Sequence, residues 1–260
     1  MTIPPAAGAR PVAVVTGASS GIGEQFARRY AREGYDLVLV ARSGPTLKEL
    51  ADSLTAQYGS SVDVHIADLA DAEDVATLAE KIENGLARLD HLVNCAGVAP
   101  EGDLHLADEA AIRQMVDLNV TALTLLTRAA IIRMRKQHRG TIINIASGAA
   151  YQPTPHMAAY GATKSYVLMF TEAMYEENRR HGLRIFAVAP GDTDTPMNPG
   201  AAKNKRNPEQ VVDTAWRAIS GKKPSVVDGR QNGSVAFFSS RLFPRRFRLR
   251  VAEKTMRDKA

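Results

Sequence analysis

A chain of 260 residues, 45% hydrophobic and 23% charged, can bury a full core and is too apolar for extended disorder. Its formal net charge of +5 is concentrated at one end: residues 241–260 carry eight Lys or Arg against two acids, so the rest of the chain is near neutral and is not expected to bind nucleic acid. A single cysteine, Cys95, excludes an internal disulfide, and the start MTIPPAAGAR has no apolar signal core and the chain no unbroken apolar run of about 18 residues, so a cytoplasmic location is expected.

After a start expected to be flexible over residues 1–10, short apolar segments alternate with stretches of helical period. In chain order the pattern predicts a strand at 12–15, a helix at 21–33, a strand at 36–41, a helix at 46–58, a strand at 62–66 and a helix at 71–87. It continues with a strand at 91–94, a helix at 108–136, a strand at 141–146, a helix at 158–181, a strand at 184–189, a helix at 207–220 and a strand at 225–227. Strands that read as near-continuous Val, Ile and Leu are covered on both faces, and alternation with helices makes them parallel. The expected fold is therefore α/β: a doubly wound, Rossmann-type sheet of about seven parallel strands with helices on both faces, forming a single domain over 11–234. A basic and aromatic extension follows over 235–260.

In such a fold the strand-to-helix junctions carry the chemistry. Directly after the first strand comes Thr16-Gly17-Ala18-Ser19-Ser20-Gly21-Ile22-Gly23, whose glycines let backbone amides at a helix start approach a phosphate. Glu24 and Gln25 occupy the places where a nucleoside-triphosphate loop needs Lys and then Ser or Thr, which favours a dinucleotide. About 20 residues on, the second strand ends in Arg42 with no carboxylate beside it. An acid there would hold a ribose 2′-hydroxyl, whereas Arg42 fits a 2′-phosphate and so favours NADP(H), with Ser19 and Ser43 as neutral partners.

Tyr160 and Lys164 stand four apart in a helical stretch and share a face, and Ser147 closes the strand TIINIAS at its carboxyl end. A phenol of pKa near 10 is a poor acid-base catalyst at neutral pH, and a neighbouring ammonium lowers that value. Lys164 is expected to supply the charge.

Together these residues resemble the short-chain dehydrogenase/reductase family, of the NADP-preferring kind, across roughly residues 11 to 200. The resemblance rests on the glycine loop, Asp68-Leu69, Asn94-Cys95-Ala96-Gly97, Asn119, Ser147, Tyr160 with Lys164, and Pro190-Gly191 with Thr195. It implies that Gly17, Ser19, Ser20, Gly21, Ile22 and Gly23 bind the cofactor phosphates and that Asp68 and Leu69 contact the adenine. It also implies that Asn94, Ala96 and Gly97 line the adenine ribose and brace the sheet, and that Pro190, Gly191, Thr193 and Thr195 hold the nicotinamide end.

Lys164 would bind the nicotinamide ribose as well as tune Tyr160, and Asn119 would anchor a water leading from Lys164 to solvent. Two departures are visible: Cys95 stands where a second Asn is common, and Thr193 where an aliphatic residue is usual. No metal is implied. The implied reaction is hydride transfer between NADP(H) and a carbonyl or alcohol, with Tyr160 as acid or base and Ser147 binding the oxygen.

The mostly apolar segments after Ser147 and Thr195 predict a fairly hydrophobic ketone or aldehyde, with Ala149, Tyr151, His156 and Met197 as substrate contacts. Two competing expectations are a 3-oxoacyl-thioester reductase and a non-catalytic NADP(H) sensor on the same fold. The latter has no need of all of Asn119, Ser147, Tyr160 and Lys164. A homodimer or homotetramer is implied by the resemblance. In the tail, Phe243, Phe247 and Val251 share one helical face while Leu242, Leu249 and Met256 fall nearly opposite, which favours a helix packed on protein over one lying on a membrane surface.

Overall fold

The computed structural model describes residues 10–199, 205–229 and 245–257. Seven parallel strands form one sheet: β1 (Val12–Thr16), β2 (Asp36–Ala41), β3 (Val62–Ile66), β4 (His91–Asn94), β5 (Gly140–Ile145), β6 (Leu183–Ala189) and β7 (Ser225–Val227). Their spatial order is β3-β2-β1-β4-β5-β6-β7. The order reverses between β1 and β4, so the crevice outside their carboxyl ends is where a ligand fits in an open sheet of this kind.

Side-chain alternation divides the core into two. Val15, Leu39, Val93 and Phe186 point to one face, against Phe26 and Leu47, whereas Val14, Val38, Leu92 and Ile185 point to the other, against Leu78 and Leu126. Both faces are covered by helices, which is why the strands read as continuous apolar runs.

The helices are α1 (Gly21–Arg32), α2 (Gly44–Tyr58), α3 (Ala72–Glu80), α4 (Glu109–Val116), α5 (Leu123–Gln137), α6 (Ala158–Asn178), α7 (Pro208–Ile219) and α8 (Arg245–Arg257). The starts of α3, α4 and α7 carry side-chain caps. Asp71 accepts the amides of Glu73 and Asp74, Asp108 those of Ala110 and Ala111, and Asn207 with Gln210 forms a reciprocal capping box ahead of Pro208.

The single helix expected over 108–136 is instead α4 and α5 joined by a π turn, Asp117–Ala122, and the one expected over 71–87 ends in another, Lys81–Gly85. On length and composition the run Glu109–Gln137 is apolar enough to cross a membrane, but Met115, Leu126, Ala130 and Met134 are buried in this fold.

Arg10, counted above with the flexible start, is tied down. Its guanidinium donates to the carbonyls of Gly59 (2.7 Å) and Tyr58 (3.1 Å) at the end of α2. The rest of that start, residues 1–9, and the boundary expected at 234/235 with Leu242 and Phe243 lie outside the described residues. The extension does form a helix, α8, which packs through the buried Ala252 and leaves Phe247 and Val251 about half exposed.

Candidate active site

One cleft of about 840 Å³ runs along the carboxyl ends of the central strands, and its walls collect most of the residues singled out from the sequence. At its floor, Thr16 ends β1 and ties that end to β4. Its hydroxyl donates to the carbonyl of Val93 and accepts the amides of Cys95 (3.0 Å) and Ala96 (3.1 Å).

This close approach demands glycine at position 17. Gly17 has φ +67° and a Cβ there would lie 2.9 Å from the Ala96 backbone, while one on Gly23 would overlap the carbonyl oxygen of Gly17. Ser19, Ser20, Gly21, Ile22 and Gly23 line the cleft, and the Ser20 hydroxyl, at the N-cap of α1, makes no capping bond. A helix N-terminus with backbone approachable at two glycines suits a phosphate group.

At the far end, Arg42 and Ser43 follow β2. The Arg42 guanidinium is 65% exposed and 4.0 Å from Asp68, a loose partner that a phosphate can displace. Asp68 and Leu69 line the same end, with Leu69 buried and Asp68 held in a turn through Ala70 N–H. These residues fit an adenosine carrying a phosphate.

Near the middle, β5 delivers Ser147, whose Oγ accepts the Ala149 amide (3.1 Å), and α6 delivers Tyr160 and Lys164 one turn apart. Tyr160 lies close enough to Ser147 to be influenced by it, and Lys164 sends its ammonium to the carbonyl of Ile145 (2.9 Å), with Nζ 5.8 Å from the Tyr160 ring. The expected electrostatic balance needs correction. Burial raises the Tyr160 pKa from its ordinary value, against a smaller lowering by the neighbouring Ser147. Burial also draws Lys164 down to about 8. Desolvation therefore sets the net direction at the phenol.

Asn119 is buried in the π turn. It grips Val98 from both sides, accepting its N–H (3.0 Å) and donating to its carbonyl (2.9 Å), and gives its second donor to Thr163 (3.2 Å). Both amide hydrogens are thus occupied by protein, and Asn119 sits behind the cleft wall rather than in it. Asn94 likewise lies off the cleft. It donates to Thr127 on α5 (3.0 Å) and Asn144 on β5 (2.9 Å), and Asn144 donates to Thr171 on α6 (3.0 Å). Its place is in bracing the sheet; of its neighbours, Ala96 and Gly97 reach the cleft.

The loop after β6 closes the other side. Pro190 accepts the Gly148 amide (2.7 Å), joining it to the Ser147 turn, and Thr195 packs its methyl against the place where a Cβ on Gly21 would stand. Gly191 lines the cleft and accepts the hydroxyl of the buried Thr193. This loop is stapled at its base by Arg206, whose amide donates to Asp192 and whose carbonyl accepts Asp194, while its side chain binds the fully buried Asp228, which also accepts the Thr214 hydroxyl (2.6 Å).

Ala149, His156 and Met197 line the substrate end of the cleft; Tyr151 does not. The turn Gly148–Tyr151 carries its ring to a neighbouring groove, where it packs with the cluster of Leu123, Val167 and Val227. Residues the sequence did not flag include Glu101 in the wall and the Ile145 carbonyl that receives Lys164. Backbone acceptors of that kind have no signature in side-chain identity. Cys95, in the wall beside Lys164, has its thiol pushed up to about 12 by burial, so it is inert as a nucleophile.

The profile of the short chain dehydrogenase family matches residues 11–206. An uncharacterized oxidoreductase of Staphylococcus saprophyticus is 33% identical over 84% of this chain and 93% of its own. The very-long-chain 3-oxoacyl-CoA reductase of Anas platyrhynchos is 32% identical over 78% of this chain and 67% of its own. Among solved structures, a short-chain dehydrogenase from Sphingobium yanoikuyae in complex with NADPH superposes with a TM-score of 0.81 at 31% identity, over 90% of this chain and 96% of that one. With the seven-stranded sheet, the glycine loop and the Ser147, Tyr160 and Lys164 grouping in place, the chain belongs to the short-chain dehydrogenase family of oxidoreductases.

Proposed function

We propose that the protein uses NADPH to reduce the carbonyl of an apolar ketone or aldehyde, with Tyr160 as the proton donor. The observation that carries this reading is the convergence, in one cleft, of Ser147, Tyr160 and Lys164 with the glycine loop and Arg42. Gly17 to Gly23 would seat the pyrophosphate, Arg42 the 2′-phosphate and Pro190 to Thr195 the nicotinamide end. When bound there, the dinucleotide would supply the hydride for such a reduction.

Ser147 donates a hydrogen bond to the carbonyl oxygen, an interaction that strengthens as negative charge develops there. Tyr160 passes its proton to the same oxygen, leaving a phenolate that is reprotonated from solvent. Lys164, beside the ring, offers positive charge to the phenolate as it forms.

A 3-oxoacyl thioester is the second reading, favoured by the similarity to the Anas reductase. NADPH oxidation measured over ketones, aldehydes and 3-oxoacyl thioesters, and repeated with NADH, separates these substrates. Arg42→Ala is expected to raise the KM for NADPH about 10- to 100-fold, the worth of a charge-assisted hydrogen bond, and to leave NADH unaffected. A wild-type preference for NADH would overturn the role given to Arg42.

A further inference from the structure

The substrate end of the cleft has one wall residue in an unusual state. His156 adopts φ +62°, a left-handed conformation that a bulky side chain seldom takes and that persists only where the surroundings impose it. Two contacts impose it from the loop ahead of α4: the Gly102 amide donates to the His156 carbonyl (2.8 Å), and the ring Nδ1 is 2.6 Å from Asp103. A third comes from the far end of the chain. The ring Nε2 is buried with no hydrogen-bond partner and stands 3.9 Å from Glu253 on α8, one residue after the buried Ala252.

Thus the imidazole is held between two carboxylates, Asp103 and Glu253, while the same residue lines the cleft that holds Ser147 and Tyr160. None of the described α8 residues lines that cleft, so the helix can influence substrate only through what it touches. The family match ends at residue 206, so the half of the clasp contributed by α8 lies outside the shared framework.

We propose that His156 is a specificity-determining residue that limits how large a carbonyl compound the cleft accepts, and that Glu253 is a positioning residue acting through it. The size limit follows from space: about 840 Å³ must hold a dinucleotide as well as the substrate, so a fixed ring at the substrate end restricts the outer arm of the ketone. This inference rests on the carbonyl-reductase reading for its kinetic arm but not for its structural one.

The test uses the full chain with His156→Asn, Glu253→Ala and the double variant. Asn is smaller and accepts a left-handed backbone, so the fold is spared. With 2-butanone and 2-undecanone as probes, His156→Asn is expected to shift the ratio of kcat/KM at least fivefold toward the longer ketone, at unchanged KM for NADPH. Glu253→Ala should shift it two- to fivefold in the same direction and add nothing to His156→Asn, because both act through one ring.

Amide hydrogen exchange without cofactor supplies the second readout: Glu253→Ala should speed exchange at Gly102, whose amide is held by His156, at least threefold. Unchanged Gly102 exchange, or effects of the two substitutions that simply add, would overturn the proposal. If the wild type reduces neither ketone, the functional reading is at fault for these substrates, and the exchange result still decides the clasp.

Discussion

Both ends of the sheet bury titratable side chains, yet they are built to opposite purposes. At the carboxyl end, Tyr160 and Lys164 face a cleft; at the amino end, Tyr30, Tyr35, His91 and Trp216 pack edge to face in a closed aromatic cluster. There Tyr30 is fully buried and bonded to His91 Nδ1 at 2.7 Å, and burial raises the Tyr30 pKa and pulls His91 down to about 4. Desolvation has the same sign at both ends. What separates catalysis from architecture is therefore not a perturbed pKa but access: a space beside the group that a substrate and a dinucleotide can enter.

The most demanding test of that contrast exchanges one phenol at a time. Tyr160→Phe is expected to lower kcat by about 10²- to 10⁴-fold, the usual worth of a positioned acid, with NADPH binding retained. Tyr30→Phe should leave kcat within about twofold and lower stability by about 1–3 kcal/mol through the lost hydrogen bond. Near-wild-type turnover in Tyr160→Phe would remove the distinction between the two ends.

A second test concerns the stability carried by the cleft. The fall of Lys164 from 10.5 to about 8 corresponds to about 3 kcal/mol against the folded state at neutral pH. The unfolded chain binds the proton more tightly, so the penalty is complete below pH 8 and is relieved as pH rises toward 10.5. Lys164→Met should abolish turnover yet raise Tm at pH 7 by several degrees. A lower Tm would mean that the hydrogen bond to Ile145 outweighs desolvation.

The amino end offers the mirror image in acid. His91 has a depressed pKa, so the unfolded chain takes up its proton first and stability is lost as pH falls from 6.5 to about 4, by up to about 3 kcal/mol. Urea unfolding of wild type and His91→Gln at pH 7 and pH 4 should show their difference narrowing by most of that amount. Parallel acid profiles would show that His91 is not the group responsible.

The fold was legible because each of its signals is local. Strand boundaries followed the Val and Ile runs to within a residue or so, and the starts of α3, α4 and α7 were marked by Asp71, Asp108 and Asn207-Pro208. In the site, Tyr160 and Lys164 could be paired because four residues make about one helical turn.

What escaped depends on contacts distant in sequence. Asn94 meets Asn144 only because the β4–β5 register sets them opposite each other, and Glu253 reaches His156 across nearly a hundred residues. Tyr151 was misplaced because a short 3-10 turn redirects the chain after Ser147, and nothing in its composition says where the ring will land. The direction of the Tyr160 pKa escaped for a related reason: spacing reveals that Lys164 is near, but not how much water the fold removes.

The π turn at Asp117–Ala122 gives this protein an unequal tolerance of mutation. Asn119 clasps Val98 from a turn one residue wider than the helices flanking it, so its aim is set by how many residues precede it as much as by its own identity. Loss of a single residue there would rotate α4 against α5 by about 100° and swing the amide off its partner. This stretch can therefore drift through substitutions on its exposed side, but a change of length would be felt at once behind the cleft wall.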